Sequence, residues 1–272
     1  MIKIYTDTNV LRYFGIAFAT AHLGQDLRDQ LLLSPLAVME LISQLGTEGA
    51  QEAFAAVQAL PRVYNAQATG MLPWADNLFR MSLFGLPPCE DTMTPALNNA
   101  VINVLNAAKA EDLSDVGKEM RALLDEERYK EAKNFSALIN SWRSEGPLLE
   151  AERKEIFARS IARQAGFDEA KVDVDSVVKS LNAYYVFDNH RMQVGTQNQD
   201  YNVDKHSNDV YDAELLIYLA DPTLHLLTSD KGFRRVEKSS QASRVHIADA
   251  ACLKNSECAT KTIRSIVEAA AA

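Results

Sequence analysis

The sequence is poor in cysteine. It has only Cys89, Cys252 and Cys258 in 272 residues, and none of them forms a CxxC pair. An odd number of cysteines without that spacing predicts neither a disulfide framework nor a zinc knuckle. We therefore expect reduced thiols, as in a cytoplasmic protein.

Long apolar runs are also missing. No run approaches the ~20 residues that are needed to cross a bilayer. The first ten residues, MIKIYTDTNV, contain no apolar core ahead of the first acidic residue, which argues against a secretory signal peptide. Both observations favour a soluble, cytoplasmic protein.

An excess of positive charge is absent as well. The chain has 28 Lys and Arg against 37 Asp and Glu, which gives a net charge of −9. This balance argues against a protein that grips nucleic acid over a broad basic face. It does not exclude a nuclease, because a cluster of metal-binding carboxylates itself contributes negative charge.

Two kinds of sequence alternate along the chain. Short apolar runs of strand length lie at 2–6, 31–33, 224–228 and 244–247. The stretch 61–170 carries no strand signal, and its composition predicts helices near 95–110, 114–144 and 148–165. We therefore predict an α/β core formed by residues 1–60 and 171–272, with an all-helical insertion or subdomain at 61–170. The charged helix at 114–144 is expected to be exposed, and Trp74 and Trp142 are expected to be core or docking residues.

The segment before the third strand is predicted as helix followed by loop. Residues 173–187 have a helical pattern, whereas residues 188–207 are polar and lack periodicity. A loop of that length beside a site is typical of a lid or of an arm that contacts substrate. Its His190 and His206 fit no standard metal-ligand spacing and are expected to be exposed.

Acidic residues stand at the ends of these predicted elements. Asp7 follows the first strand, where open α/β sheets place their ligands, although it equally fits a helix N-cap. Glu40 lies one turn inside a helix that Ser34 and Pro35 open, where a solvated glutamate is the simpler interpretation. Three further acidic residues stand at element ends. Asp209 and Asp212 lie on one side of a helix start, and Asp230 follows the third strand.

A basic patch follows Asp230. Lys231, Arg234 and Arg235 surround Phe233 directly after the predicted strand. These side chains could hold a phosphodiester backbone next to the carboxylates. A solvated, charged turn is the alternative interpretation.

Four sequence segments resemble the PIN-domain nucleases, the family that includes ribonuclease toxins of the VapC type. The segments are IYTDTNVL, LSPLAVMELISQL, NDVYDAELLIYLA and LHLLTSDKGF. They are similar, in order, to the family's first strand with its acid, the segment of its glutamate, the helix of its third acid and the strand ending in T-x-D-x-x-F. The resemblance covers roughly residues 1–60 and 205–250, and the insertion is longer than in the small toxins.

The resemblance implies a central parallel sheet flanked by helices and a Mg²⁺- or Mn²⁺-dependent nuclease, most closely an endoribonuclease. Asp7, Asp212 and Asp230 would be the primary metal ligands, while Glu40 and Asp209 would ligate or orient a second metal or the attacking water. Whether Asp209 or Asp212 is the family's third acid stays open. Hydrogen bonds to the ligands would come from Thr8, Asn9, Thr228 and Ser229. The implied substrate is RNA or single-stranded DNA, and an antitoxin or other protein partner and a homodimer are implied possibilities.

Elementary chemistry supports the same grouping. Several carboxylates within ~5 Å cannot all ionise without a compensating cation, because each negative charge raises the pKa of the others. Oxygen-only ligation suits Mg²⁺ or Mn²⁺. Such a metal lowers the pKa of a bound water, and a metal pair clamps the attacking and leaving oxygens of an in-line displacement. No cysteine or histidine nucleophile is then needed.

Two other functions compete with this prediction. A non-catalytic PIN-like binding module would keep the fold and use the insertion to hold a partner. A phosphatase of the haloacid-dehalogenase type also begins with strand and aspartate, but it needs a second aspartate where this chain has Asn9.

Overall fold

The protein is an α/β structure with a parallel four-stranded sheet. The computed structural model describes residues 2–65, 71–91, 93–201 and 208–271. The strands are β1 (Lys3–Thr6), β2 (Leu31–Leu32), β3 (Leu224–Thr228) and β4 (Val245–Ile247). They lie in the order β2-β1-β3-β4, and each pairing is parallel. The four predicted strands and the α/β class are therefore confirmed.

Helices cover both faces of the sheet. In the first half of the chain they are α1 (Thr8–Ala17), α2 (Gln25–Arg28), α3 (Pro35–Ile42), α4 (Ala50–Val63), α5 (Ala75–Leu78), α6 (Met93–Asn106) and α7 (Ser114–Glu145). In the second half they are α8 (Glu150–Gln164), α9 (Val174–Ser180), α10 (Asn182–Gln197), α11 (Asn208–Ile217), α12 (Ala250–Leu253) and α13 (Ser256–Ala271). The three helices predicted inside 61–170 are thus confirmed as α6, α7 and α8.

The alternation of side chains along each strand creates two cores. Ile4 and Leu227 point into a core that includes residues of α1, α3, α4 and α13. Tyr5 and Leu226, which are paired across the sheet, point into a second core with residues of α8 to α11. Because successive side chains of a strand face opposite ways, a sheet with two buried faces needs apolar residues at both parities. This explains why the strand sequences read as continuous apolar runs.

Helix α7 packs against the first core at one end and against α10 at the other. Its 32 residues span about 48 Å at 1.5 Å per residue. Met120 and Leu124 near its N-terminal end are buried in the first core, whereas Ile139 and Trp142 pack with Met192 of α10. The helix is confirmed, but the expectation that it is simply exposed is wrong, because one side of it is buried along most of its length. Trp142 is a core residue, as predicted.

The end of α3 and the start of α7 approach each other closely. A Cβ atom on Gly117 would lie 1.9 Å from the carbonyl oxygen of Leu45, so only glycine fits there. Arg121 of α7 then donates to the carbonyl of Ser43 from Nε at 3.1 Å. These contacts fix the direction in which α7 leaves α3.

The segment before α11 differs from the prediction. Residues 173–187 form two helices, α9 and α10, which meet at Leu181. Helix α10 continues to Gln197, so a loop over 188–197 is wrong. The helix persists because tertiary packing stabilises its polar sequence: Met192 is buried and the Arg191 guanidinium stacks on the ring of Phe135 at 4.2 Å. His190 therefore lies on a helix, and the predicted loop residues 202–207, with His206, lie outside the described residues.

The cysteine prediction is wrong for one pair. Cys252 in α12 and Cys258 in α13 form a disulfide, with their Cα atoms 5.2 Å apart, while Cys89 is a free, exposed cysteine. The short turn between the two helices brings the cysteines within bonding distance although their spacing is wider than CxxC. Among the described helices, none combines the length and the apolarity that a membrane crossing requires.

Candidate functional site: a carboxylate cluster at the strand ends

Two of the predicted acids lie side by side at the C-terminal edge of the sheet. Thr6 of β1 pairs with Leu227 of β3, so Asp7 is the neighbour of Thr228. The Thr228 hydroxyl donates to Asp7 Oδ2, and the Val10 amide donates to Oδ1 at 2.8 Å. Asp7 is therefore the N-cap of α1, and it also lies at the strand end where the carboxylate cluster was predicted; its role as a metal ligand stays a prediction.

Asp230 is held by its own turn. The Gly232 amide donates to Asp230 Oδ1 at 2.6 Å and opens the short 3₁₀ turn Lys231–Val236. The backbone amide of Asp230 donates to the Thr228 hydroxyl at 2.9 Å. Thr228 thus connects Asp7 and Asp230 directly. Ser229, between them in the chain, is half-buried.

Glu40 reaches the same edge from α3. The Thr8 hydroxyl donates to Glu40 Oε2, which ties the start of α1 to α3. Thr8 therefore contacts one acid while its neighbour Asp7 supplies another, as the prediction of a supporting hydrogen bond requires. Asn9 lies further out, where its Oδ1 accepts from Arg12 at 3.5 Å. In the described residues Asn9 makes no hydrogen bond to the acids.

Helix α11 delivers the remaining two acids. The Tyr5 hydroxyl, buried in the sheet, donates to the carbonyl of Leu215 at 2.7 Å and fixes the helix against β1. Asp209 and Asp212 lie in its first turns. Asp209 forms an ion pair with Arg235 at 3.0 Å. Within the described part of the chain, the half-buried carboxylate of Asp212 has neither a hydrogen-bond donor nor a cation as partner.

The pKa shifts show that the acids lie within electrostatic reach of each other. Burial raises the pKa of Asp212 to about 8, and the charges of Asp230, Asp7, Asp209 and Glu40 add to this shift. Burial also raises the pKa of Asp7 to about 6, against the hydrogen bonds from Thr228 and Val10, which lower it. All five predicted acids therefore form one cluster, and Asp212 feels the charge of every other member.

The predicted basic residues divide into two groups. Lys231 and Arg234 are exposed, whereas Arg235 is half-buried and stacks on the ring of Phe187 at 5.3 Å. Arg235 therefore belongs to the cluster through its ion pair with Asp209. His190 of α10 is close to the same pair, since the Arg235 charge and burial both lower the pKa of His190.

The insertion supplies a residue that the sequence did not predict. Arg128 of α7 approaches Glu40, with 3.7 Å between Nη2 and Oε1, and lies over the ring of Tyr211 at 4.6 Å. Tyr211 immediately precedes Asp212. The sequence shows Arg128 only as a basic residue within the charged run at 125–128, and nothing in it predicts a contact with α3.

The five acids do not line the cavity of about 410 Å³ between α3, α6, α7 and α11, whose walls include Met39, Trp74 and Tyr211. Considering only the described residues, no three His, Cys, Asp or Glu side chains are arranged so that they could hold a metal ion as they stand. The oxygens of Glu40 and Asp209 are instead turned toward Arg128 and Arg235.

Comparison of the chain with protein-family models, with curated proteins and with solved structures found no match.

Proposed function

We propose that this protein is a metal-dependent nuclease of the PIN-like kind, which hydrolyses phosphodiester bonds in RNA. The observation that carries the proposal is the meeting of five carboxylates at the C-terminal edge of β1 and β3, four of which contribute to the raised pKa of Asp212. Open α/β sheets bind their ligands at this edge. A half-buried carboxylate that lacks a partner is destabilising unless it keeps a proton, as the raised pKa of Asp212 indicates, or a cation binds to it.

The donor set fits Mg²⁺ or Mn²⁺. Asp7, Asp212 and Asp230 would hold the ion, because all three offer carboxylate oxygens and none pairs with a basic side chain in the described part of the chain. Glu40 and Asp209 would join after exchanging their guanidinium partners. When bound, such an ion supplies an activated water at neutral pH and stabilises charge on the phosphoryl oxygens.

The chain's own residues have separable tasks in this proposal. Thr228 orients the Asp7 carboxylate, the Gly232 amide orients that of Asp230, and Thr8 orients Glu40. Such hydrogen bonds fix the direction of a ligating oxygen and tune its basicity. Arg235 and the exposed Lys231 would contact the phosphates of the substrate, because both follow Asp230 in the same turn.

The test is cleavage of end-labelled structured RNA and of single-stranded DNA, with Mn²⁺, Mg²⁺ or EDTA. Asp7→Asn and Asp230→Asn are expected to abolish metal-dependent cutting with little loss of stability, whereas Asp115→Asn, an exposed residue of α7, should leave it unchanged. Cutting at the wild-type rate by either site variant would overturn the proposal. RNA cut in preference to DNA would support the substrate assignment.

A non-catalytic binding module is the second candidate. The observation in its favour is that Glu40 and Asp209 already have cationic partners, Arg128 and Arg235, within the chain. A binding module should show no thermal stabilisation by Mn²⁺. A metal site present only in the folded state should instead raise the melting temperature as the metal concentration rises.

A further inference from the structure

Arg128 of α7 lies beside the carboxylate cluster, and its N–H groups make no close hydrogen bond among the described residues. The guanidinium of Arg128 approaches Glu40 and Asp125 at 3.7 Å each, which is beyond the usual range of a hydrogen bond. Its Nε–H is buried and has no hydrogen-bond partner among the residues that the structure describes. A guanidinium carries five N–H donors in a rigid plane, and leaving them unpaired in a half-buried position is unfavourable.

Two arginines with a structural role, Arg121 and Arg244, bond to backbone carbonyls instead. Arg121, two turns earlier on α7, donates to the carbonyls of Ser43 and Leu45 and so satisfies the end of α3. Arg244 donates to three backbone carbonyls around the start of β3. Arg128 makes no such bond within the described residues, so backbone satisfaction does not explain its position.

Packing holds Arg128 in place instead. Its guanidinium lies on the ring of Tyr211, and the Tyr211 hydroxyl donates to the carbonyl of Leu124 on the preceding turn of α7 at 2.8 Å. An arginine stacked on a tyrosine keeps its edges open, because the ring occupies only one face of the guanidinium plane. The N–H donors therefore remain available at the margin of the carboxylate cluster.

A second arginine is held in the same manner on the other side. Arg235 follows β3, stacks on Phe187 and forms an ion pair with Asp209. Arg128 forms an ion pair with Glu40, which lies on α3, the helix after β2. Asp7 follows β1, which lies between β2 and β3, and Asp212 is influenced by the charges of both Glu40 and Asp209. The two guanidinium groups thus pair with the outer acids of the set, Glu40 and Asp209.

We propose that Arg128 is a substrate-binding residue that holds a phosphate of the nucleic acid on the β2 side of the cluster. This inference rests on the proposed nuclease function and extends it. Arg235 would hold a phosphate on the β3 side, so that the strand crosses the cluster with α7 as one wall of its path. A phosphate accepts two parallel N–H bonds from a guanidinium, which would satisfy Arg128 donors that have no hydrogen-bond partner in the described part of the chain. The large insertion thereby takes part in substrate binding.

Binding of a non-cleavable strand tests the proposal without depending on turnover. A fluorescein-labelled 2′-O-methyl oligonucleotide is titrated in Mn²⁺ at several salt concentrations, and affinity is measured by fluorescence anisotropy. Arg128→Ala should weaken binding about 10-fold and reduce the salt slope by ~0.7, as expected for the loss of one single-strand phosphate contact. Arg128→Lys should keep most of the salt slope, and Lys118→Ala, which removes the same charge from an exposed part of α7, should change neither quantity.

The outcomes separate this inference from the nuclease proposal. If Arg128→Ala lowers the cleavage rate but leaves affinity and salt slope at wild-type values, Arg128 only positions Glu40 and the inference is wrong. If Arg235→Ala weakens binding and Arg128→Ala does not, the nuclease proposal stands and α7 is not part of the path. If wild-type protein binds no oligonucleotide, both proposals fall. Thermal unfolding of each variant checks that a binding loss does not reflect loss of the fold.

Discussion

Replacement of Asp212 by asparagine should stabilise the metal-free protein at alkaline pH. Burial and the neighbouring acids raise the pKa of Asp212 from 3.8 to about 8. Between these values the folded state keeps a proton that the unfolded chain has released. The stability contributed by this carboxyl is therefore fully present below pH ~4 and is lost as the pH rises through about 8.

The magnitude follows from the size of the shift. About four pKa units correspond to ~6 kcal/mol if the whole difference acts on folding. Asp212 is only half-buried, and relaxation and solvent screening reduce this value, so we expect ~2–3 kcal/mol for Asp212→Asn above pH 8. For a protein of this size that gain raises the melting temperature by roughly 5–10 °C.

Thermal unfolding in EDTA, measured at intervals from pH 4 to pH 9, gives the comparison. The difference between Asp212→Asn and wild type should be small near pH 4 and should grow to its full size above pH 8. Glu119→Gln, an exposed position on α7, serves as the control and should show no such growth. A difference that is constant with pH, or that has the opposite sign, would refute the argument. With Mn²⁺ present, wild type should gain stability and Asp212→Asn should not.

Three further predictions concern the frame around the site. Gly117→Ala should lower the free energy of unfolding in urea by ~3 kcal/mol, because its Cβ would overlap the carbonyl oxygen of Leu45. A loss under about 0.5 kcal/mol would contradict the contact. Burial lowers the pKa of His225 to about 4, so its contribution to stability is present above pH ~6.5 and is lost as the pH falls toward 4. His225→Leu should therefore reduce the acid-induced loss in the free energy of unfolding, measured with urea, by ~1 kcal/mol, and an unchanged loss would count against this assignment. Reduction of the Cys252–Cys258 bond should cost ~2 kcal/mol, with Cys258→Ser as the matched variant; a melting temperature insensitive to reductant would show that the bond contributes nothing.

The strand-end acids were predictable because local signals coincide there. Asp7 and Asp230 each close a short apolar run, and the parallel order of β1 and β3 brings the two run ends to one edge. The local sequence signal for Glu40 is weaker, since a glutamate within a helix is usually solvated. It joined the prediction only through its resemblance to a known pattern, and the hydrogen bond from Thr8 now connects it to the edge.

The contacts made by Arg128 could not be predicted in the same way. Arg128 lies 88 positions after Glu40 (128 − 40), and no periodicity within α7 specifies which helix it will meet. That information is in the packing of Gly117 against the end of α3, which sets the direction of α7. The length of α10 was missed for a related reason: its polar residues form helix because Arg191 and Met192 are buried against α7.

The shared core limits how the protein can be shortened. Leu97, Val104 and Met120 of the insertion are buried in the same cluster as Ile4 of β1. A chain cut to residues 1–60 and 171–272 would present that apolar surface to water, and each large buried side chain left exposed costs about 1.5–3 kcal/mol. We expect such a truncated chain to aggregate rather than to yield a smaller folded protein. Any attempt at miniaturisation would have to redesign the face that α6 and α7 now cover.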